Sequence, residues 1–291
     1  MINLQLILHF YLISLLFFGI TLAISFFREN KELKIRVLTL LGLLHLICLA
    51  LTQGIFGWGL FTMGILSIGI YEVYKSYPLT KKRSIFYIIS NIILIIAGTL
   101  TQTDFIELSI PALILMIITV FRYDEVRMKN CIFPIAFSSC FLIPCSILLI
   151  DIFRISPGAI IAILLLLQVN DSFGYLFGKK WGKTYLFPNI SPNKSLEGYC
   201  LGSIGIILGL VFLHTYIPVL EFDILKDLTL YLTIFLFGNM GDLFFSWIKR
   251  KLDIKDFSQL LPGHGGVLDR FDNTVFIAPF FHFFISHHLI F

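Results

Sequence analysis

The sequence has little charge and few cysteines. Of its 291 residues, 14% are charged and 57% are hydrophobic, whereas a soluble globular chain is about 25% charged and roughly 45–50% apolar. The five cysteines lie in or beside apolar runs and form no C-x-x-C pair, which excludes a disulfide framework and a zinc site. No Pro/Ser/Gly-rich linker or internal repeat is visible. A soluble fold is therefore excluded, and one domain is indicated.

Long apolar runs take the place of charge. A helix needs about 20 apolar residues to cross a hydrocarbon core of about 30 Å, and only helices or closed barrels satisfy backbone polar groups in lipid. The runs lack period-two alternation, so they predict helices. We predict an all-α fold, a polytopic transmembrane helical bundle of about nine or ten helices, with spans near residues 5–27, 37–53, 55–74, 84–101, 107–121, 131–152, 158–178, 199–219, 228–247 and 274–291.

Basic residues are distributed unevenly among the predicted loops. If the N-terminus lies outside and the spans alternate, the cytoplasmic loops hold all of the 22 Lys and Arg residues except Arg154 and Lys226. Cytoplasmic loops of membrane proteins carry such an excess. We therefore expect a multi-pass integral membrane protein of the bacterial cell (inner) membrane, with its active site on the cytoplasmic face.

The first polar cluster lies at the end of the seventh predicted span. Asn170 and Asp171 fall within an apolar run, where an ionisable residue is costly and indicates function. Asp171, Gly174 and Gly178 are spaced by helical turns, and the glycines would let another helix approach closely. A packing face in which Asp171 is hydrogen-bonded to a neighbouring helix is the alternative interpretation.

A turn with the sequence S-P-N-K-S-L-E-G follows, from Ser191 to Gly198. A lysine flanked by hydroxyls on a turning backbone can present hydrogen-bond donors to phosphate oxygens. The same residue types also form ordinary turns. Alone, this segment is therefore a weak indication of a phosphate site.

The second cluster begins on the ninth predicted span. Asn239, Asp242, Ser246 and Lys249 are spaced so that they share one face of a helix. A polar stripe on an apolar helix has to face the bundle interior or a water-filled cavity. We therefore predict that this face lines the site.

The loop after this span combines acids, bases and glycines. Consecutive glycines at Gly265 and Gly266 would let the backbone approach a ligand. Carboxylates beside lysines and arginines are typical of a metal-bridged polyphosphate site, in which acids hold Mg²⁺ and bases hold phosphate oxygens. A solvated basic loop that meets anionic headgroups is the alternative, but it does not explain the H-G-G turn or the acids at Asp269 and Asp272.

The stretch 246–272 resembles the signature of the phosphatidate cytidylyltransferase (CDP-diglyceride synthase) family. That signature reads S-x-hydrophobic-K-R, four residues, K-D, a small residue, then P-x-H-G-G-x-x-D-R-x-D. The positions in register are Ser246, Lys249, Arg250, Lys255, Asp256, Ser258, Pro262, His264, Gly265, Gly266, Asp269, Arg270 and Asp272. The upstream cluster is similar to the family's N-D…Y…G…G-K and S-P-x-K-[TS]-x-E-G segments. Asn193 and Leu196 depart from the usual lysine and tryptophan, in the loop expected to touch the lipid acceptor.

The resemblance implies transfer of a cytidylyl group from CTP to phosphatidate or a similar lipid phosphate, with Mg²⁺, alone or with a second cation. It implies Asp242 and Asp269 as the main metal ligands, with Asp171 and Asp272 as further ones. The implied catalytic residues are Asp242, Asp269, Lys249, Arg250, Lys255, His264 and Arg270. The implied substrate-binding residues are Asn170, Ser191, Pro192, Lys194, Ser195, Glu197, Ser246, Gly265 and Gly266. A turn-stabilising hydrogen bond is the alternative role for His264. A homodimer embedded among membrane lipids is also implied, and no nucleic-acid partner is expected.

We predict one integral membrane domain, 1–291, with hydrophobic scaffold helices in 1–155 and the catalytic region in 156–291. Alternative functions are CTP-dependent activation of another lipid phosphate and a polyprenol kinase. A secondary transporter is a different class, since intramembrane acids also mark ion paths, but the polar residues concentrate on one face and no inverted repeat is evident. In a catalytically silent membrane scaffold, Asp242 and Asp269 would be replaceable.

Overall fold

The computed structural model describes residues 31–77, 132–192, 194–216 and 222–291, with isolated positions at 8, 11, 12 and 15. The regular elements within these ranges are helices. We number them α1 Lys31–Thr52, α2 Gly54–Lys75, α3 Ile132–Phe137, α4 Ile143–Ile155, α5 Pro157–Trp181, α6 Leu196–Tyr216, α7 Ile224–Thr233, α8 Asn239–Lys251 and α9 Leu268–Ser286. A π-helical turn joins α3 to α4 at Ser138–Leu142, and another joins α7 to α8 at Ile234–Gly238.

Six helical segments in the described ranges are long and apolar enough to cross a membrane. They are Lys34–Thr52, Gly54–Lys75, Phe133–Ile155, Pro157–Trp181, Leu196–Thr215 and Ile224–Lys251. The predicted all-α, multi-pass membrane class is therefore confirmed. The predicted spans 84–101 and 107–121, and the span 5–27 apart from positions 8, 11, 12 and 15, lie outside the described residues.

The last helix begins earlier than the predicted span 274–291. It starts at Leu268 and ends at Ser286, so that boundary prediction was wrong. The carboxylate of Glu72 on α2 accepts hydrogen bonds from the amides of Val267 and Leu268. The first amides of a helix have no partner within the helix. Because Glu72 accepts from two of them, the helix can begin before Asp269, Arg270 and Asp272 rather than after them.

Helix α9 lies at the centre of the described bundle. It packs against α2, α4, α5 and α8, and Phe276 and Phe281 are at most 1% exposed. Phe276 lies 5.3 Å from Phe244, ring centre to ring centre, and Phe244 lies 5.5 Å from Phe141. Because lipid tails are as apolar as these side chains, close van der Waals packing rather than removal from water stabilises such contacts.

Helices α5 and α6 approach each other across glycines, as the sequence predicted for Gly174 and Gly178. A Cβ atom at Gly198 would lie 2.8 Å from the carbonyl oxygen of Gly174, and one at Gly202 would lie 3.0 Å from that of Asn170. A side chain at either position would push the helices apart. The glycines thus fix the position of the polar end of α5 relative to α6.

Polar contacts join the helices at both ends of the described bundle. At one end, Thr39 of α1 donates to the Pro262 carbonyl (3.2 Å) beside the start of α9. At the other end, Asp151 of α4 contacts His282 of α9 (2.8 Å) and Arg154 (3.8 Å). Arg154 therefore lies away from the end that carries Lys194 and Lys249.

Candidate active site

The two polar clusters predicted from the sequence meet at one end of the bundle. The Lys194 ammonium forms an ion pair with Asp242 of α8. Arg250 Nε donates to the Ile190 carbonyl at 3.3 Å, and the amide of Asn170 donates to Asn239 Oδ1 at 3.3 Å. The structure therefore brings residues of the two clusters into direct contact.

Asp171 lies in an amide network between α5 and α9. Its carboxylate accepts from Asn273 Nδ2 at 2.9 Å and from Asn170 Nδ2 at 3.4 Å. Asp171 is exposed, whereas Asn170 and Asn273 are 2% and 7% exposed. Asp171 is therefore bonded to α9 while part of its side chain stays at the surface of α5. It is both hydrogen-bonded to a neighbouring helix, as in the alternative interpretation, and available to a ligand.

The stripe on α8 faces the bundle interior, as predicted. Besides Lys194, the Asp242 carboxylate accepts from Ser246 Oγ at 3.3 Å. The Lys194 ammonium also lies 5.5 Å from the centre of the Tyr199 ring. Burial lowers the pKa of Lys194, and the carboxylates of Asp171 and Asp272 act in the opposite direction. Lys194 is thus surrounded by acids from α5, α8 and α9.

A second lysine is enclosed deeper in the site. Lys249 Nζ lies 2.8 Å from Asp269 Oδ1 and 3.9 Å from Asp272 Oδ2, and the three residues are 8%, 8% and 7% exposed. The other oxygen of Asp269 accepts from the backbone amides of Phe257 (3.0 Å) and Gly266 (2.9 Å). Asp269 therefore links α8, the loop and the start of α9.

The remaining basic residues of the signature lie at the surface. Arg250, Lys255 and Arg270 are exposed. Arg250 also donates to the carbonyl of Ile254 at 3.1 Å, in addition to Ile190 in the neighbouring loop. Arg250 thus joins the two loops, while Lys255 and Arg270 are accessible to an anionic ligand.

His264 lies in a tight glycine turn. Gly263 and Gly265 have φ angles of 77° and 86°, a left-handed conformation that favours glycine. His264 Nδ1 is buried without a hydrogen-bond partner among the described residues. Burial lowers the pKa of His264, as do the positive charges of Arg270 and Arg36, against the contribution of the Pro262 carbonyl. The neutral imidazole is therefore favoured.

Two residues predicted to bind substrate anchor their own loop. Ser195 is 2% exposed, and its Oγ accepts from the Gly198 amide at 3.1 Å. The Glu197 carboxylate accepts from the amides of Lys183 (3.0 Å) and Thr184 (3.2 Å). Ser191 and Pro192 form the neighbouring turn, and the contacts of all four residues with substrate stay predictions.

The donor chemistry of the site suits a hard cation. The Asp171 carboxylate contacts the side chains of Asn170 and Asn273, whose buried Oδ1 atoms have no hydrogen-bond partner among the described residues. Asp242 lies about one turn along α8 from Asn239, which Asn170 contacts. Carboxylate and amide oxygens are ligands that Mg²⁺ accepts. Within the described ranges, no three His, Cys, Asp or Glu side chains converge on a common metal position. The four predicted metal ligands stay predictions.

One residue of the site escaped the sequence analysis. Glu72, in the predicted scaffold, is fully buried (0% exposed). Its carboxylate accepts from Ser258 Oγ (2.6 Å) and from the amides of Val267 (2.8 Å) and Leu268 (2.9 Å). The signal was available, because Glu72 is an acid inside an apolar run, the feature that singled out Asp171.

A bundle of apolar helices with paired acids and lysines at one end defines a polytopic membrane protein with a charged site. A profile of the Cytidylyltransferase family matches residues 34–288. Since this match covers most of the chain, the protein belongs to that family.

Several bacterial proteins are similar to part of the chain. The phosphatidate cytidylyltransferase of Bacillus subtilis (strain 168) is 44% identical over 119 residues, which are 40% of this chain and 43% of that protein. The one from Aquifex aeolicus (strain VF5) is 42% identical over 134 residues, 46% of this chain and 49% of that protein. The one from Staphylococcus aureus (strain COL) is 44% identical over 116 residues, 40% and 44% of the two chains. The match thus spans about half the length of these relatives.

Proposed function

We propose that the protein is a phosphatidate cytidylyltransferase, which converts CTP and phosphatidate into CDP-diacylglycerol and diphosphate. The observation that carries the proposal is the convergence of the signature residues, in which Lys194 pairs with Asp242 and Lys249 lies between Asp269 and Asp272. The names of the similar bacterial proteins support the same reaction.

The reaction is a displacement at the α-phosphorus of CTP. A phosphate oxygen of the lipid forms the new P–O bond, and the bond from the α-phosphorus to the bridging oxygen breaks, with its electron pair leaving on diphosphate. A lipid phosphomonoester is already an anionic nucleophile, so no strong base is needed. Positioning and charge neutralisation therefore contribute most of the catalysis.

We assign different roles to the basic residues according to whether they are exposed or buried. Exposed Lys255 and Arg270 would hold the triphosphate and the departing diphosphate, while Lys194 and Lys249 lie deeper, among the acids. Asp171 and Asp242, with the Oδ1 atom of Asn170, would hold Mg²⁺. The other two predicted metal ligands, Asp269 and Asp272, lie beside Lys249. When bound, the metal supplies positive charge to the phosphate oxygens.

The accessible position of Asp171 supports a route for the lipid. Asp171 is exposed beside its contact with Asn273 of α9, so a headgroup could reach it while its acyl tails stay in the leaflet. We place this end of the bundle at the cytoplasmic face of the bacterial inner membrane, where CTP is available. The homodimer implied by the resemblance is part of the proposal, and its mass in detergent tests it.

Transfer assays with two labels test the function. Purified protein is incubated with Mg²⁺, phosphatidate and CTP carrying label on the α- or the γ-phosphate. We expect α-label in the lipid and γ-label in diphosphate, and a loss of about 10²-fold or more in Asp242→Asn if charge placement dominates. Asp223→Asn, at the start of α7, is the matched control.

The alternatives give different products. The γ-label in the lipid, with release of CDP, would contradict the proposal and identify a kinase, with a polyprenol as the acceptor to test. Activity with another lipid phosphate but not with phosphatidate would overturn the substrate assignment. Full activity of Asp242→Asn would remove this carboxylate from the mechanism.

A further inference from the structure

Glu72, in the first quarter of the chain, is bonded to the loop between α8 and α9. It lies on α2, separated by 186 residues from Ser258 and by 195 from Val267, yet it accepts hydrogen bonds from both. Leu268, at the start of α9, is its third partner. One buried carboxylate thus joins three points of the loop and the helix start.

The carboxylates of Glu72 and Asp269 bind the backbone amides at the start of α9. Three successive amides, those of Gly266, Val267 and Leu268, donate to Asp269 and Glu72. Such helix starts otherwise attract phosphate groups, because their amides are unsatisfied and the helix dipole favours negative charge. These three amides are therefore already satisfied by the protein and are not free to bind a polyphosphate.

Gly266 makes this arrangement possible. A Cβ atom at this position would lie 2.8 Å from Glu72 Oε2 and 3.0 Å from Asp269 Oδ2. The space above the glycine is thus occupied by two carboxylates of the protein itself. Because Gly266 has no side chain, Glu72 and Asp269 can approach the amides of Gly266 and Val267.

We propose that Glu72 is a positioning residue for cytidylyl transfer, which rests on the proposed function. By holding Ser258 and the amides of Val267 and Leu268, it fixes the loop after α8 and the start of α9 against α2. Asp269 then meets Lys249, and Arg270 is presented at the surface beside the site. Glu72 acts through these residues and does not itself touch substrate.

The proposal predicts a kinetic loss that exceeds any change in folding. In Glu72→Gln, an amide nitrogen would face a backbone donor in place of a carboxylate oxygen, so the loop would lose at least one hydrogen bond. A misplacement of about 1 Å costs roughly 10²-fold in rate, and we expect kcat to fall by about tenfold or more. The KM for phosphatidate should change little, because Asp171, beside which we place the headgroup, bonds to Asn170 and Asn273 and not to the residues that Glu72 holds.

The experiment compares Glu72→Gln, Ser258→Ala and the double variant with a matched control. Asp223→Asn alters another helix-capping carboxylate, whose Oδ1 accepts from the amides of Leu225 (2.9 Å) and Lys226 (3.4 Å) at the start of α7. Hydrogen exchange of peptides covering 257–270 is measured together with kcat and both KM values. We expect faster exchange there and a lower kcat in the Glu72 and Ser258 variants. Asp223→Asn should change exchange only near α7 and keep kcat within about twofold.

Each outcome decides one question. Glu72→Gln with wild-type kcat and exchange would overturn the proposal. If that variant does not fold, Ser258→Ala decides, because wild-type exchange and kcat in it would overturn the proposal equally. Losses that add fully in the double variant would mean that the two side chains act separately, against the proposal. An inactive wild-type protein would refute the proposed function, while the exchange data would still show whether Glu72 holds the loop.

Discussion

Lys249 is enclosed by two acids in the interior of the bundle, and its removal should affect folding as well as activity. In Lys249→Met, Asp269 and Asp272 lose the ammonium that lies 2.8 and 3.9 Å from them. Breaking a buried ion pair from one side costs about 3–5 kcal/mol. We expect a clear decrease in the thermal unfolding temperature in detergent. Lys251→Met, two residues along the same helix, is the control, and an equal decrease in both variants would contradict the expectation.

His264 should make stability depend on pH. Its pKa is lowered in the folded protein by burial and by the charges of Arg270 and Arg36, from about 6.5 in the unfolded chain. A lowered folded-state pKa means that the contribution to stability is complete above about pH 6.5 and is lost as the pH falls through the folded value. The wild-type protein should therefore lose more stability than His264→Gln between pH 8 and pH 5. Parallel unfolding temperatures of the two proteins over this range would argue against it.

Single acids of the site can be predicted from the sequence where they interrupt an apolar run, because a charge placed in lipid costs free energy. Asp171 and Asp242 stand out because an acid in an apolar run needs a compensating partner. Glu72 has the same property but lies far from the recognisable motif. The anchoring roles of Ser195 and Glu197 depend on amides of a neighbouring turn, which the sequence pattern does not specify.

At the scale of helices, the contact between α5 and α6 depends on the absence of side chains. In Gly198→Ala, the new Cβ would lie 2.8 Å from a backbone oxygen of Gly174, and such overpacking costs about 1–3 kcal/mol. We expect a lower unfolding temperature and a shift of Asn170 away from α8, with reduced activity. Gly64→Ala on α2 is the matched control, since nothing lies within 4 Å of its added Cβ. There, alanine should stabilise the helix by up to about 1 kcal/mol, so a decrease in both variants would refute the packing explanation.

The helices themselves follow from the apolar runs, but some of their limits do not. Predicted spans 37–53 and 55–74 correspond to α1 and α2, which separate at Gly54 with a φ of 69°. The start of α9 was placed too late because hydropathy reads Asp269, Arg270 and Asp272 as loop residues. In the folded protein Glu72 and Lys249 satisfy the amides and the acids, and the helix continues through them. Hydropathy does not reveal such a partner.

For the molecule as a whole, the uneven distribution of basic residues predicts that the end with the charged site faces the cytoplasm. Lys183 is exposed at the end that carries the charged site, and Phe222 is 78% exposed near the start of α7, at the other end. We expect Lys183→Cys to react with a membrane-impermeant maleimide from the cytoplasmic side and Phe222→Cys from the opposite side. The five native cysteines are first replaced by serine, and intact and inverted vesicles are compared. Labelling of Lys183→Cys from the outside would mean that the charged site lies outside the cytoplasm. Because CTP is a polyanion that does not cross lipid, this result would exclude the proposed reaction in the cell. In the structure one helix, α6, separates Lys183 from Phe222, so the two positions should lie on opposite sides of the membrane. Labelling of both positions from one side would therefore contradict the helix arrangement itself.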